Sequence, residues 1–136
     1  MRKALLTIVT KQPDETENLT FTTRTDCTDT DSGLTLKYEE SLSEEDTVST
    51  QLLIGDDSIL VERTGSAGGD MYFKEATTYE TQYRALGGLE LPMKIFTTNL
   101  DLKKDENGVQ ASVDYQIFLA GSSVGKLGMD IKVEYV

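Results

Sequence analysis

Val109-Gln110-Ala111-Ser112-Val113-Asp114-Tyr115-Gln116-Ile117-Phe118-Leu119 carries an apolar residue at every odd position. Alternation of this kind marks a β-strand with one buried face. Asp105-Glu106-Asn107-Gly108 stands directly before it, and Asn-Gly suits the positive φ angles of a type I′ hairpin turn. Upstream of that turn, Leu89, Leu91, Met93, Ile95 and Thr97 share one phase. Downstream, a hairpin at Gly121-Ser122-Ser123 leads into Leu127, Met129, Ile131, Val133 and Tyr135. The C-terminal part therefore reads as long antiparallel strands joined by tight turns.

The same grammar runs back to the N-terminus. Lys3 to Lys11 forms a first strand, with Leu5, Thr7 and Val9 on one face and Leu6 and Ile8 on the other. Further in-phase sets are Leu19, Phe21, Thr23, Thr25 and Cys27; Leu34, Leu36, Tyr38 and Glu40; and Val48, Thr50, Leu52 and Ile54. Ile59, Val61 and Arg63, then Met71 and Phe73, then Tyr79, Thr81 and Tyr83 follow. Turns are expected at Gln12–Thr16, Asp29–Gly33 and Gly55–Asp57, with a flexible connection at Gly65–Gly69, a short link at Glu75-Ala76 and another break at Gly87-Gly88. Ser43–Asp46 reads as a loop with room for one helical turn. Pro92 cannot donate to a ladder, so it implies an edge or a bulge. A meander of so many strands removes its exposed edges by closing. The expected fold is all-β: one domain over residues 1–136, an antiparallel up-and-down barrel of about 8–10 strands, enclosing a packed core or one small ligand.

Composition narrows function. The chain has 136 residues, no His, no Trp and one Cys, and its formal net charge is −11. Without His the commonest general base and metal ligand is missing. A surface this acidic repels phosphate backbones and anionic lipid, so neither a nucleic acid nor a membrane is an expected partner. A lone Cys gives no disulfide framework. The apolar run Ala4–Val9 is too short for a signal-peptide core and lacks a cleavage site, and no segment reaches membrane-spanning length. The expected location is the cytoplasm.

Motifs that hint at chemistry fail on spacing. Gly121-Ser122-Ser123-Val124-Gly125-Lys126-Leu127 has three residues between its glycines where a P-loop has four, and Leu127 stands where Ser or Thr should bind Mg²⁺. Starting an EF-hand at Asp29 puts Leu34 where Gly is needed, and aligning on Gly108 puts Lys103 where the first Asp belongs. Glu39 and Glu40 are adjacent in a strand and point to opposite faces, so they form no acid/base pair. Neither catalytic residues, a metal nor a cofactor is expected, and an enzyme is the least supported functional class. Cys27 reads as a small buried hydrophobe.

One constellation survives. Glu40 follows the inward phase of Leu34, Leu36 and Tyr38, and Arg63 that of Ile59 and Val61. Tyr79, Tyr83 and Thr97 lie on apolar-phased faces of other strands. A charged pair with hydroxyls inside an apolar barrel could orient a polar group of a ligand. The competing reading is an internal salt bridge that serves structure alone.

The chain also resembles the YwiB-like family of small bacterial proteins. The matching residues are Tyr38-Glu39-Glu40-Ser41, Leu52-Leu53-Ile54-Gly55-Asp56-Asp57, Leu60-Val61-Glu62-Arg63-Thr64-Gly65, Met71-Tyr72-Phe73, Tyr79-Glu80-Thr81-Gln82-Tyr83, Phe96-Thr97-Thr98-Asn99-Leu100 and Ile131-Lys132-Val133. The resemblance spans nearly the whole chain and implies a calycin-type barrel, related in architecture to lipocalins and fatty-acid-binding proteins. It departs from the family where Gln82 and Arg84 replace the usual Pro and Gly, and the lipocalin Gly-x-Trp signature is absent. It implies a fold and no activity. The expected function is binding of a small, partly apolar molecule in the barrel by Tyr38, Glu40, Arg63, Tyr79, Tyr83 and Thr97. The alternative is a filled barrel that acts as an interaction or structural module through its acidic surface. The expected oligomeric state is a monomer or a weak homodimer.

Overall fold

The computed structural model describes residues 2–12, 18–41, 44–65, 68–85 and 88–136. Its strands are β1 (Arg2–Lys11), β2 (Leu19–Thr30), β3 (Gly33–Ser41), β4 (Thr47–Ile54), β5 (Ser58–Gly65), β6 (Met71–Lys74), β7 (Thr77–Arg84), β8 (Glu90–Asp105), β9 (Gly108–Leu119) and β10 (Ser122–Tyr135). They form one antiparallel sheet in the order β6-β5-β4-β3-β2-β1-β10-β9-β8-β7. Every neighbour is next in sequence except β1 and β10, which bring the two termini together with Ala4 opposite Tyr135. The result is a nearly closed up-and-down calycin-like barrel. Among the described residues no helix is long and apolar enough to cross a membrane.

Among the described residues, closure is completed at one point of backbone contact. β6 and β7 are the free ends of the sheet. They do not pair along their length; instead Gly68 and Arg84 exchange N–H···O bonds of 2.8 and 2.7 Å, and β6 packs across β8. Gly68 is thus a fixed part of the barrel, where its glycine-rich surroundings suggested only a flexible connection. The turns expected at Gln12–Thr16, Ser43–Asp46, Gly65–Gly69 and Gly87-Gly88 lie wholly or partly outside the described residues. The described part of Ser43–Asp46, residues 44–46, is a bend.

The inward phases follow the sequence pattern. On β1 the inner face is Ala4, Leu6 and Ile8. Together with Leu36, Leu52, Ile54, Ile59, Phe73, Ile95, Val113, Ile131 and Val133 these side chains make one core. Cys27 belongs to it, 1% exposed. Phe73 meets Tyr115 edge-on with ring centroids 4.9 Å apart. Burial on this scale supplies most of the stability of a barrel without disulfides.

Two hairpins use a different turn chemistry from the one expected. Neither Glu106 nor Asn107 has a positive φ, so the turn before β9 is not type I′. Its two-residue loop is Glu106-Asn107, and Asp105 Oδ1 accepts hydrogen bonds from the N–H groups of Asn107 (2.8 Å) and Gly108 (3.1 Å). The side chain, not the left-handed backbone, makes the turn. The hairpin before β10 turns on Ala120-Gly121, with φ of 51° and 83°, one residue earlier than Gly121-Ser122-Ser123. This is the φ pattern of the primed turns.

Bulges reset the phase of the longest strands. On β8 the register shifts between Thr97 and Asn99, opposite β9. One extra residue turns the inward set from Met93, Ile95 and Thr97 to Leu100 and Leu102. A second shift lies between Ser123 and Gly125 on β10. Pro92 lies just beyond the last β8–β9 pair, Met93 with Leu119, so its missing N–H breaks no ladder bond with β9, while its carbonyl accepts from Ala120 N–H at 2.8 Å.

Candidate functional site

The two ends of the barrel differ. Strand direction puts the links β2–β3, β4–β5, β6–β7 and β8–β9 at one end, where they span only 31–32, 55–57, 75–76 and 106–107. The links at the other end span 12–18, 42–46, 66–70 and 85–89, with only β9–β10 tight. This second end is the mouth. Pairing between β2 and β3 covers only Asp26–Thr30 with Gly33–Lys37. Towards the mouth the two strands therefore part, and the inward side chains of upper β3 are left beside a gap. Phe21 of β2 reaches across it to Tyr38, with ring centroids 5.5 Å apart.

The polar group sits at that gap. Tyr38, Thr50 and Arg63 lie in one lateral row, because Tyr38 pairs with Thr50 and Thr50 with Arg63. Glu40 is two residues further up β3. Arg63 Nη2 donates to Glu40 Oε2 at 2.7 Å, and the two side chains remain 29% and 21% exposed. Burial first, and the neighbouring Glu40 charge second, push the Tyr38 phenol up to about 12, against opposing effects of Arg63 and Thr50. Tyr38 is therefore a neutral hydroxyl at physiological pH. Thr50 Oγ1 lies next to it but is buried and has no hydrogen bond of proper geometry.

The remaining expected site residues are spread out. Tyr83 packs on the core near the mouth end of β7, opposite Leu91. Tyr79 shares the inward phase with Ile95, yet its ring meets Tyr72 at a tilt of 53° with centroids 5.7 Å apart, beside the unpaired β6–β7 seam. Thr97 is 0% exposed, between Thr77 and Tyr115, and its hydroxyl has no partner. Tyr38, Glu40 and Arg63 thus meet one another. Tyr79 and Thr97 lie nearer the short-link end, on β7 and β8. Thr50 joins the group without having been singled out; the available signal was a hydroxyl in the otherwise apolar set Val48, Leu52 and Ile54.

Hollows of a ligand's size lie on the outer wall. One of about 410 Å³ runs over the outward side chains of Lys37, Glu39, Gln51, Glu62 and Thr64. Another, of about 620 Å³, crosses β1, β10, β9 and β8 and is lined by Thr7, Val9, Asp101, Lys103, Gln110 and Lys132. Beside it Asp130 takes a hydrogen bond from Ser112 Oγ (2.9 Å) and pairs with Lys11 Nζ (2.9 Å). Lys11 holds the Asp130 carboxyl below its ordinary value, and Asp130 raises Lys11 in return. Among the described residues no group of three or more His, Cys, Asp or Glu side chains could hold a metal ion.

Against known proteins, a profile described as "Domain of unknown function (DUF1934)" matches residues 5–131. The chain belongs to the DUF1934 family. The crystal structure of the YwiB protein from Bacillus subtilis superposes with a TM-score of 0.82 at 21% identity, covering 99% of this chain and 92% of that one. The likeness agrees with the family resemblance read from the residues, and it concerns the fold. No curated protein matches the chain. DUF1934 membership carries no activity with it, so the function has to be argued from the mouth itself.

Proposed function

We propose that this DUF1934 protein binds a small, partly apolar molecule at the mouth of its barrel. Arg63 and Glu40 orient the polar part, with Tyr38 and Thr50 beside them and Tyr83 contributing apolar contact from β7. The observation that carries this reading is the part-buried Arg63–Glu40 pair in one cluster with two hydroxyl groups, at the end where the strands diverge and the links are long. Loops on a rigid scaffold and the mouths of β-barrels are common ligand sites. The lower barrel is packed with Leu36, Leu52, Ile59, Phe73 and Ile95, so the ligand is placed at the mouth and not along the whole interior. Tyr79 and Thr97 drop out of the proposed contacts.

The filled lower core also favours the second reading, an interaction module that works through its acidic outer wall. Native mass spectrometry of the purified protein separates the two. A retained small molecule that Arg63→Met releases supports binding at the mouth. A bare mass, with no small molecule captured from a cell extract by the wild type, overturns it in favour of the interaction module.

A further inference from the structure

Resting on the binding reading above, we infer that the mouth selects ligands whose polar head is uncharged and both donates and accepts hydrogen bonds, such as a primary carboxamide, and discriminates against a carboxylate. The argument starts from Arg63. A lone guanidinium in a barrel mouth would call for an anionic head, since its forked donors match a carboxylate. This guanidinium is already matched. Glu40 Oε2 lies 2.7 Å from its Nη2, and with side chains 29% and 21% exposed the pair is poorly screened by solvent. An incoming carboxylate would compete with Glu40 for the same charge. It would leave one of two carboxylates part-buried without a cation, which is the costly arrangement. The net charge of −11 repels free anions as well.

A cationic head fares no better. Glu40 is engaged, Arg63 repels a second positive charge, and Tyr38 offers no phenolate because its pKa is pushed up to about 12. What the site does offer is neutral hydrogen bonding. The guanidinium has donors beyond the one given to Glu40. Tyr38 supplies a part-exposed hydroxyl that can both donate and accept, and Thr50 lies buried beside it, where it positions the phenol without meeting the ligand. The Tyr38 hydroxyl gains a bond when a group with both a donor and an acceptor is delivered to it. A carboxamide meets these demands without disturbing the ion pair, and Phe21, Tyr38 and Tyr83 give an alkyl chain apolar surface to lie on.

The test is isothermal titration of the full chain with three probes of one chain length: lauramide, laurate and laurylamine. Lauramide is expected to bind at least about tenfold tighter than either charged probe, a difference of about 1.4 kcal/mol. The Glu40→Gln variant frees the Arg63 charge, so there laurate is expected to overtake lauramide. Unchanged circular dichroism confirms that this variant is folded. Laurate binding as tightly as lauramide to the wild type, or an unchanged order in Glu40→Gln, overturns the selectivity and leaves mouth binding standing. If none of the three binds either protein, both the selectivity and the binding reading fall.

Discussion

The lower barrel and its mouth are made of the same strands, yet they obey different rules. On β3, Leu34 and Leu36 face a packed core, while Tyr38 and Glu40, next in the same phase, lie where β2 no longer pairs with β3. On β5, Ile59 is fully buried and Arg63 is not. On these two strands the inward phase is kept, but the inward residue changes from aliphatic to hydrogen-bonding as the chain nears the long-link end. Backbone pairing changes too: β2 and β3 are laddered below Asp26 and separate above it. The lesson is that one alternating pattern can specify both a core and a site, and only the identity of the inward residue tells them apart.

The sharpest way to break this comparison is to damage the core alone. Phe73 is 0% exposed and packs edge-on against Tyr115. Phe73→Ala should cost about 3–5 kcal/mol in urea unfolding, through lost burial and the cavity left behind. At temperatures where the variant is folded, probe affinity at the mouth should be unchanged. A loss of less than about 1 kcal/mol would mean that the lower barrel is looser than its burial implies.

Each region holds a tyrosine whose phenol is pushed up chiefly by burial, which gives a paired pH experiment. Tyr115 in the core is raised from 10.0 to about 12 by burial alone, and Tyr38 at the mouth to about 12 by burial and Glu40. Both phenols lose their protons more easily in the unfolded chain. Their stabilising contribution is complete below pH 10 and is lost as pH rises through the folded values, at about 1.4 kcal/mol per pH unit for each group. Alkaline melts of Tyr115→Phe and Tyr38→Phe should each show a shallower decline than wild type. In phenolate absorbance, a bound lauramide should shift the Tyr38 titration and leave that of Tyr115 in place. A shift of both would unite the two regions in a single ligand site.

How far the sequence revealed this molecule follows from the same distinction. Strand phase depends on side chains alternating across a sheet, a local rule, so the inner faces of β2 to β7 were legible residue by residue. Glu40 and Arg63 were legible as charges in an apolar phase. The hairpin chemistry was less so, because Asp105 supplies through its side chain what Asn107 was expected to supply through a left-handed backbone. The β8 bulge was equally hidden, since Thr98 looks like any outward residue until its partner strand is known. The placement of Tyr79 and Thr97 away from Arg63 is a property of strand order and register. No single-strand pattern carries that information. The Ala120-Gly121 turn shows the same limit, as Ala is an uncommon choice for positive φ.

A smaller effect is expected from the ion pair at the mouth. Exposed pairs contribute up to about 1 kcal/mol, and removing one partner of a buried pair costs about 3–5. Arg63 and Glu40 are part-buried at 29% and 21% exposure, so Arg63→Met should cost about 1–2 kcal/mol, between those limits. Urea melts with no ligand present measure this directly. A loss above about 3 kcal/mol would make the pair a structural strut, as the core side chains are, and remove Arg63 from the site.

The smallest effect should come from a pair of the same charge types placed outside both regions. Lys11 and Asp130 lie 2.9 Å apart on the outer wall, with side chains 51% and 43% exposed. Solvent screens them, so geometry as good as that of Arg63 and Glu40 should yield less stability. The Asp130 carboxyl is held below its ordinary value of 3.8, chiefly by the hydrogen bond from Lys11. The sign follows: its contribution is present above that ordinary value and disappears as pH falls through the lower folded value. Asp130→Asn should therefore shift the urea midpoint slightly at neutral pH and low salt. The shift should shrink when salt is added, and again when the pH is taken well below 3.8. Arg63→Met should keep most of its effect in the same salt. If instead both variants lose their effect together, the mouth pair is as well solvated as the wall pair. The contrast between a part-buried orienting pair and an ordinary surface one would then be gone.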